Sequence, residues 1–280
     1  MQSPSQTAPL GIFDSGVGGL SVLHAIRAQL PHENMLYFAD QWHVPYGSRS
    51  LEEVLQFSEA ITRFLLVQGA KLIVVACNTA SAAALHHLRK TFPEVPFVGM
   101  EPAIKPAAEH TNSGVVGVLA TPATFQGKLY ASVVKRFARD VSVLQDTCPG
   151  LVEEIERGGF EEESTRKILE AALRPMLERG LDTVVLGCTH YPFVIPIIKQ
   201  IVGKNIRVID PAPAVARQVE RRLDALNLLS KDVDRGSVNL FTSGKRSELT
   251  SIISQLKIEI SPIQEVNWKA GKPEIIKRRV

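Results

Sequence analysis

Short, uniformly apolar runs recur along this chain, and segments of helical period separate them. Residues 9–13, 35–39, 72–76, 95–100, 115–120, 141–144, 206–209 and 238–241 read as strands, as does the run after Asp182. Runs without polar alternation mark strands buried on both faces of a parallel sheet. Ser50-Leu51-Glu52-Glu53 forms a capping box, and Val54, Phe57, Ile61, Phe64 and Leu65 follow near helical spacing to a stop at Gly69. Further helices are predicted from the first strand to about residue 30, over 80–90, through 137, over 151–157, over 164–179 with a kink at Pro175, after Pro192, and over 214–228. From Pro262 onward no period is visible, and that stretch reads as irregular. Strands alternating with helices predict a doubly wound parallel α/β architecture.

One phrase occurs twice. Leu72 to Ala76 leads into Cys77-Asn78-Thr79, and Asp182-Thr-Val-Val-Leu-Gly leads into Cys188-Thr189-His190. Gly69 and Gly180 stand 111 positions apart, as do the two cysteines. The echo predicts two similar α/β domains facing each other across a cleft, residues 1–100 and 101–209, with a crossing near Thr111-Asn112-Ser113-Gly114. Ligands of open α/β sheets sit at the carboxyl ends of strands, where both cysteines fall.

Composition changes this picture little. Hydrophobic residues at 45% and charged residues at 22% describe an ordinary globular protein. A net charge of +3 does not point to a polyanionic partner, and the basic end, residues 277–279, reads as a solvated tail. Three cysteines cannot all pair and show no dense disulfide pattern, which fits free thiols in a reducing cytoplasm. Residues 1–9 are polar and lack a signal-peptide pattern, and no apolar stretch approaches the roughly 20 residues of a membrane span. The expectation is a cytoplasmic protein with no membrane partner.

Gly16-Val17-Gly18-Gly19 after the first strand invites a phosphate reading, but position 21 is Ser21 and the Gly-Lys-Ser/Thr ending of a P-loop is missing. Asp14-Ser15 is the more informative pair: Asp14 projects from a strand end, where it serves a site or caps the next helix. A lone cysteine after an apolar strand is most simply a small buried hydrophobe. Two at matched positions, flanked by Asn78-Thr79 and Thr189-His190, look like two halves of one site. Cys148 has no echo and reads as structural, and His86-His87 as exposed surface.

Opposed thiols suit the removal of a proton from one face of a carbon and the return of another to the opposite face. The thiolate is the working base, and a nearby carboxylate or imidazole readies it. Asp14 is the candidate helper near Cys77 and His190 near Cys188. A Cys/His hydrolase leaves one thiol idle. A zinc site or a dithiol redox pair lacks the close Cys-x-x-Cys or His-x-x-x-His spacing.

Four pieces together carry a resemblance: Gly11-Ile-Phe-Asp-Ser-Gly-Val-Gly-Gly-Leu20, Pro45-Tyr46-Gly47, Val75-Ala-Cys-Asn-Thr-Ala80 and Leu186-Gly-Cys-Thr-His-Tyr-Pro192. In this order they resemble the glutamate racemase family, cofactor-independent enzymes of the aspartate/glutamate racemase superfamily. The resemblance implies two α/β domains with the site between them, the final segment (210–280) rejoining the first. It implies interconversion of L- and D-glutamate without pyridoxal phosphate, metal or nucleotide, feeding peptidoglycan synthesis, and a homodimer. By motif Cys77 and Cys188 are the acid/base thiols, Cys77 acting on D-glutamate and Cys188 on L-glutamate. Asp14 assists Cys77, and His190 assists Cys188 with Glu156 behind it, Glu153 being an in-register competitor. Substrate contacts fall to Asp14, Ser15, Tyr46, Gly47, Asn78, Thr79, Thr189 and His190, and to Thr121 and Thr124, which suit a helix cap equally well. Aspartate racemisation, a noncatalytic amino-acid-binding module and a secondary nucleic-acid role are the competing expectations, the last poorly supported by the +3 charge.

Overall fold

The structure is a computed structural model that describes residues 5–256 and 262–276. Its strands are β1 (Leu10–Asp14), β2 (Met35–Ala39), β3 (Leu72–Val75), β4 (Phe97–Gly99), β5 (Val115–Ala120), β6 (Ser142–Asp146), β7 (Thr183–Gly187), β8 (Arg207–Ile209), β9 (Val238–Thr242), β10 (Ile263–Lys269) and β11 (Lys272–Ile275). They form two sheets, one in the order β11-β10-β9-β2-β1-β3-β4 and one in the order β6-β5-β7-β8. Every pairing is parallel except β10 with β11. The fold is thus the α/β class with two doubly wound parallel sheets. The segments β2-β1-β3-β4 and β6-β5-β7-β8 share one winding, so β3 and β7 are equivalent strands. The 111-residue echo is an echo of topology.

Local chemistry explains most elements. β1, β2, β3 and β7 are buried along their whole length, as their unbroken apolar runs require. The helix Leu51–Val67 opens with the predicted capping box: the Ser50 hydroxyl accepts from the Glu53 amide at 3.2 Å, and Glu53 Oε2 accepts from the Ser50 amide at 3.1 Å. Gly69 and Gly180 hold φ of +87° and +82°, ending the helices before β3 and β7 in the left-handed conformation that glycine tolerates best.

The structure departs from the sequence reading in several places. The stretch after Pro262 is ordered as β10 and β11, extending the first sheet. The buried positions of β10, Ile263 and Val266, are three apart, which no strand period reveals. Pro273 sits on β11, at the sheet edge, where a strand tolerates proline. The helices Ile104–His110 and Arg246–Gln255 lie in stretches the periodicity left unassigned. The helix after Thr121 is two, Pro122–Gln126 and Lys128–Phe137, broken where Gly127 turns extended; a Cβ there would lie 2.8 Å from that of Ala82. The helix Glu163–Glu178 runs through Pro175. His86 is exposed, but His87 is half-buried and bonds Glu59 at 2.7 Å. The basic end at 277–280 and residues 1–4 lie outside the described residues.

Candidate active site between the two sheets

Each sheet presents the carboxyl ends of its first and third strands to one place. β1 ends in Asp14 and β3 leads to Cys77; β5 leads to Thr121 and β7 to Cys188. These are the switch points at which a doubly wound sheet opens a crevice. A cavity of about 10 Å³ lies there, lined by both thiols and by Ser15, Pro45, Tyr46, Gly47, Asn78, Thr79, Thr121, Val152, Thr189 and His190. Pro45 and Val152 also line a wider outer cavity of about 500 Å³ with Glu153, Glu156 and Arg157.

On the first side, Asp14 is fully buried. Its Oδ2 accepts from the Gly19 amide at 2.7 Å, and its Oδ1 accepts from the Thr189 hydroxyl at 3.3 Å. It therefore braces the turn into the next helix and also faces the site, so the two roles coexist. Burial raises its pKa, and the neighbouring His190 charge opposes the rise. Cys77 is the N-cap of the helix Asn78–Thr91, its sulfur accepting from the Ala80 amide at 3.4 Å, with the Ser15 hydroxyl 4.0 Å away. Burial, followed by the charge of Asp14, pushes the thiol well above its ordinary pKa. At rest Cys77 is a protonated thiol.

On the second side, the Cys188 sulfur lies 3.7 Å from His190 Nδ1, and His190 Nε2 lies 2.6 Å from Glu156 Oε1. Burial alone would lower the imidazole pKa, but the hydrogen bonds to Cys188 and Glu156 outweigh it and raise the value well above 6.5. Glu156 ends the short helix Leu151–Glu156 and crosses to the first sheet, where Oε1 also accepts from the Val17 amide at 2.8 Å. Glu153, the in-register competitor, is exposed and faces the outer cavity. The glycine turn gains a reason here. A Cβ on Gly16 would lie 1.9 Å from Glu156 Oε1, and one on Gly18 would lie 2.5 Å from His190 Nδ1. The glycines admit a carboxylate and an imidazole of the protein itself.

The Thr79, Thr121 and Thr124 hydroxyls form a buried cluster, 2.8 Å between the first two and 3.0 Å between the last two. The Thr121 hydroxyl also caps its own helix through the Thr124 amide. Gly47 packs on Thr121, and the Tyr46 hydroxyl turns away to bond Asp40 at 2.7 Å. Asn78 is buried with both amide atoms unbonded, an arrangement that is costly unless a ligand completes it. Cys148 is buried apart from this cluster, at φ +45°. Among the described residues, no group of three or more His, Cys, Asp or Glu side chains is placed to hold a metal ion. Sequence reasoning missed Gln41, whose amide reaches Glu156 Oε2 at 3.3 Å, and Tyr37, whose hydroxyl donates to the Gly16 carbonyl at 2.6 Å.

Two thiols lining one cavity, one beside a buried carboxylate and the other beside a buried imidazole, mark an enzyme of the α/β class equipped for acid–base chemistry. The family match is direct. The Asp/Glu/Hydantoin racemase family model matches residues 19–219, and the chain belongs to that family. It is 46% identical to the glutamate racemase of Roseiflexus sp. (strain RS-1) over 94% of this chain and 97% of that one. It is 48% identical to that of Pseudomonas aeruginosa (strain PAO1) over 98% of each. Among solved structures, the glutamate racemase of Thermus thermophilus in complex with β-chloro-D-alanine superposes at a TM-score of 0.82, with 36% identity, over 94% of this chain and 98% of that one. The Escherichia coli glutamate racemase in complex with L-glutamate and the activator UDP-MurNAc-Ala does so at 0.79, with 32% identity, over 96% and 100%.

Proposed function

We infer that this chain interconverts L- and D-glutamate by moving protons at Cα between two thiols, supplying D-glutamate for peptidoglycan. The observation that carries the reading is the pair Cys77 and Cys188 lining one cavity from equivalent strand ends. For L-glutamate, Cys188 gives its proton to His190, whose imidazolium Glu156 stabilises. The Cys188 thiolate then takes the Cα proton, and Cys77, resting as a thiol, delivers its own proton to the opposite face. In the reverse direction Asp14 accepts the Cys77 proton, a task its raised pKa favours. The α-carboxylate gathers negative charge as the proton leaves. Hydroxyls of Ser15, Thr79, Thr121, Thr124 and Thr189, backbone amides including that of Gly47, and the unbonded Asn78 amide are assigned to hold it, with Tyr46 shaping the wall.

We assign residues 1–100 with 210–280 to one domain and 101–209 to the other, a division supported by the return of β9 to the first sheet after β8 closes the second. Three free cysteines support a cytoplasmic setting. No described helix is long and apolar enough to cross a membrane. The family resemblance supports a homodimer, which sedimentation checks.

The decisive experiment is incubation of the pure protein with L-glutamate in D2O without added cofactor. D-glutamate carrying deuterium at Cα is expected; neither isomer formation nor Cα exchange would end this reading. Cys77→Ser and Cys188→Ser should each abolish full racemisation.

A further inference from the structure

Glu156 is held from a direction that the two-thiol scheme does not use. Its Oε1 is occupied by His190 Nε2 and the Val17 amide. The second oxygen, Oε2, accepts from Gln41 Nε2 at 3.3 Å. Gln41 follows β2, on the first sheet, whereas Glu156 ends a helix on the far side of the cavity.

Gln41 is itself fixed. Its Oε1 accepts from the Thr242 hydroxyl at 2.8 Å, and Thr242 Oγ1 accepts in turn from the Gly244 amide at 3.0 Å. A hydroxyl has one proton, so accepting from an amide and donating to Gln41 is the only consistent arrangement. Turning the Gln41 amide over would set its oxygen against the Glu156 carboxylate, acceptor to acceptor. The amide therefore has one orientation. Its stem is confined too: a Cβ on Gly244 would lie 2.8 Å from that of Gln41. Thr242 is fully buried at the end of β9. A continuous polar chain thus runs from the Gly244 amide through Thr242, Gln41, Glu156 and His190 to Cys188.

We propose that Gln41, anchored by Thr242, is a positioning residue for the Cys188 half of the reaction, setting the Glu156 carboxylate that orients His190. The inference rests on the two-thiol racemase reading above, so wild-type turnover is measured first: its absence would sink both, whereas wild-type turnover with no effect of the variants below would sink this proposal alone. Two near-isosteric variants, Gln41→Leu and Thr242→Val, and their double are then compared with wild type. Gln41→Leu should lower kcat/KM about ten-fold, the size expected for losing a hydrogen bond to a charged group. The loss must be equal in both directions, because the two enantiomers have the same free energy.

The distinguishing readout is the substrate isotope effect. Slower proton transfer at Cys188 should raise the effect for L-[2-²H]glutamate, whose deuteron Cys188 removes. It should lower the effect for D-[2-²H]glutamate, whose deuteron Cys77 removes. Thr242→Val should show the same asymmetry more weakly and add nothing to Gln41→Leu, since residues in one network couple. Unchanged kcat/KM in Gln41→Leu, equal isotope shifts for both enantiomers, or additive losses in the double variant would each overturn the proposal.

Discussion

Gly18→Ala tests whether the glycine turn exists to admit His190. The change adds one methyl carbon, which would lie 2.5 Å from His190 Nδ1 and 2.8 Å from Cγ and Cε1 of the ring. Ordinary contact begins at 3.4 Å, so the imidazole must retreat by about 0.9 Å. That exceeds the play in its bonds, since Nε2 already lies 2.6 Å from Glu156 and Nδ1 3.7 Å from Cys188. A misplacement near 1 Å costs about 10²-fold in rate, or about 2.7 kcal/mol of barrier. The backbone at Gly18 lies outside the left-handed region, so alanine fits it without strain. Crowding a buried, doubly hydrogen-bonded ring also costs stability, about 1–3 kcal/mol, so the rate is compared at a temperature where both proteins are folded. Racemisation followed by circular dichroism of glutamate, beside a thermal melt, gives both numbers. Gly69→Ala is the mirror control: nothing lies within 4 Å of the added carbon, but φ is +87°. It should cost about 1–2 kcal/mol of stability and leave kcat unchanged. Wild-type turnover by Gly18→Ala would refute the claim that this glycine exists to admit the histidine.

Asp14→Asn should lower racemisation by about 10²-fold while the melting temperature at pH 8 holds or rises. Burial raises the folded pKa of Asp14, so its ionised form costs stability that the amide removes; a strongly lowered melting point would contradict this. His190 is raised by its partners, so the stability from its pairing with Glu156 is full below about pH 6.5 and fades as pH rises through the higher folded value. The gap in melting temperature between wild type and Glu156→Gln should therefore narrow as pH increases, and a widening gap would count against the pair. Lys71 is buried 2.6 Å from Glu33, its ammonium also bonding the Gln6 and Leu228 carbonyls. Lys71→Met leaves that carboxylate unpaired and should cost about 3–5 kcal/mol in urea unfolding with kcat unaltered.

Much of the fold was legible because its signals are local. Apolar runs, a capping box and two glycine stops need only a few consecutive residues to be read. The thiol pair was legible through repetition: one phrase recurring at the same strand position in two sheets of the same winding. Other features required distance. Glu153 and Glu156 are three residues apart on one helix, and only packing against Gly16 and Val17 separates the bonded carboxylate from the exposed one. Gln41 gains meaning only when β9 lies beside β2, with Ala39 paired to Thr242 across some 200 residues. The ordered strands after Pro262 escaped because they complete a sheet begun elsewhere. Their buried positions answer to neighbours rather than to a period of their own.

The place of β9 in the first sheet also sets a schedule for synthesis. β2 is apolar and buried along its whole length, with β1 on one side and β9 on the other. Its second neighbour begins at Val238, about 200 residues after Ala39. At about 5–20 residues per second, a ribosome needs on the order of 10–40 s to cover that interval. Throughout it the nascent first sheet carries a bare, hydrophobic edge of the kind that captures strands from other chains. The second sheet, whose four strands are contiguous from Val115 to Ile209, has no such wait. The half that bears Cys188 can therefore close before the half that bears Cys77, although Cys77 is made first.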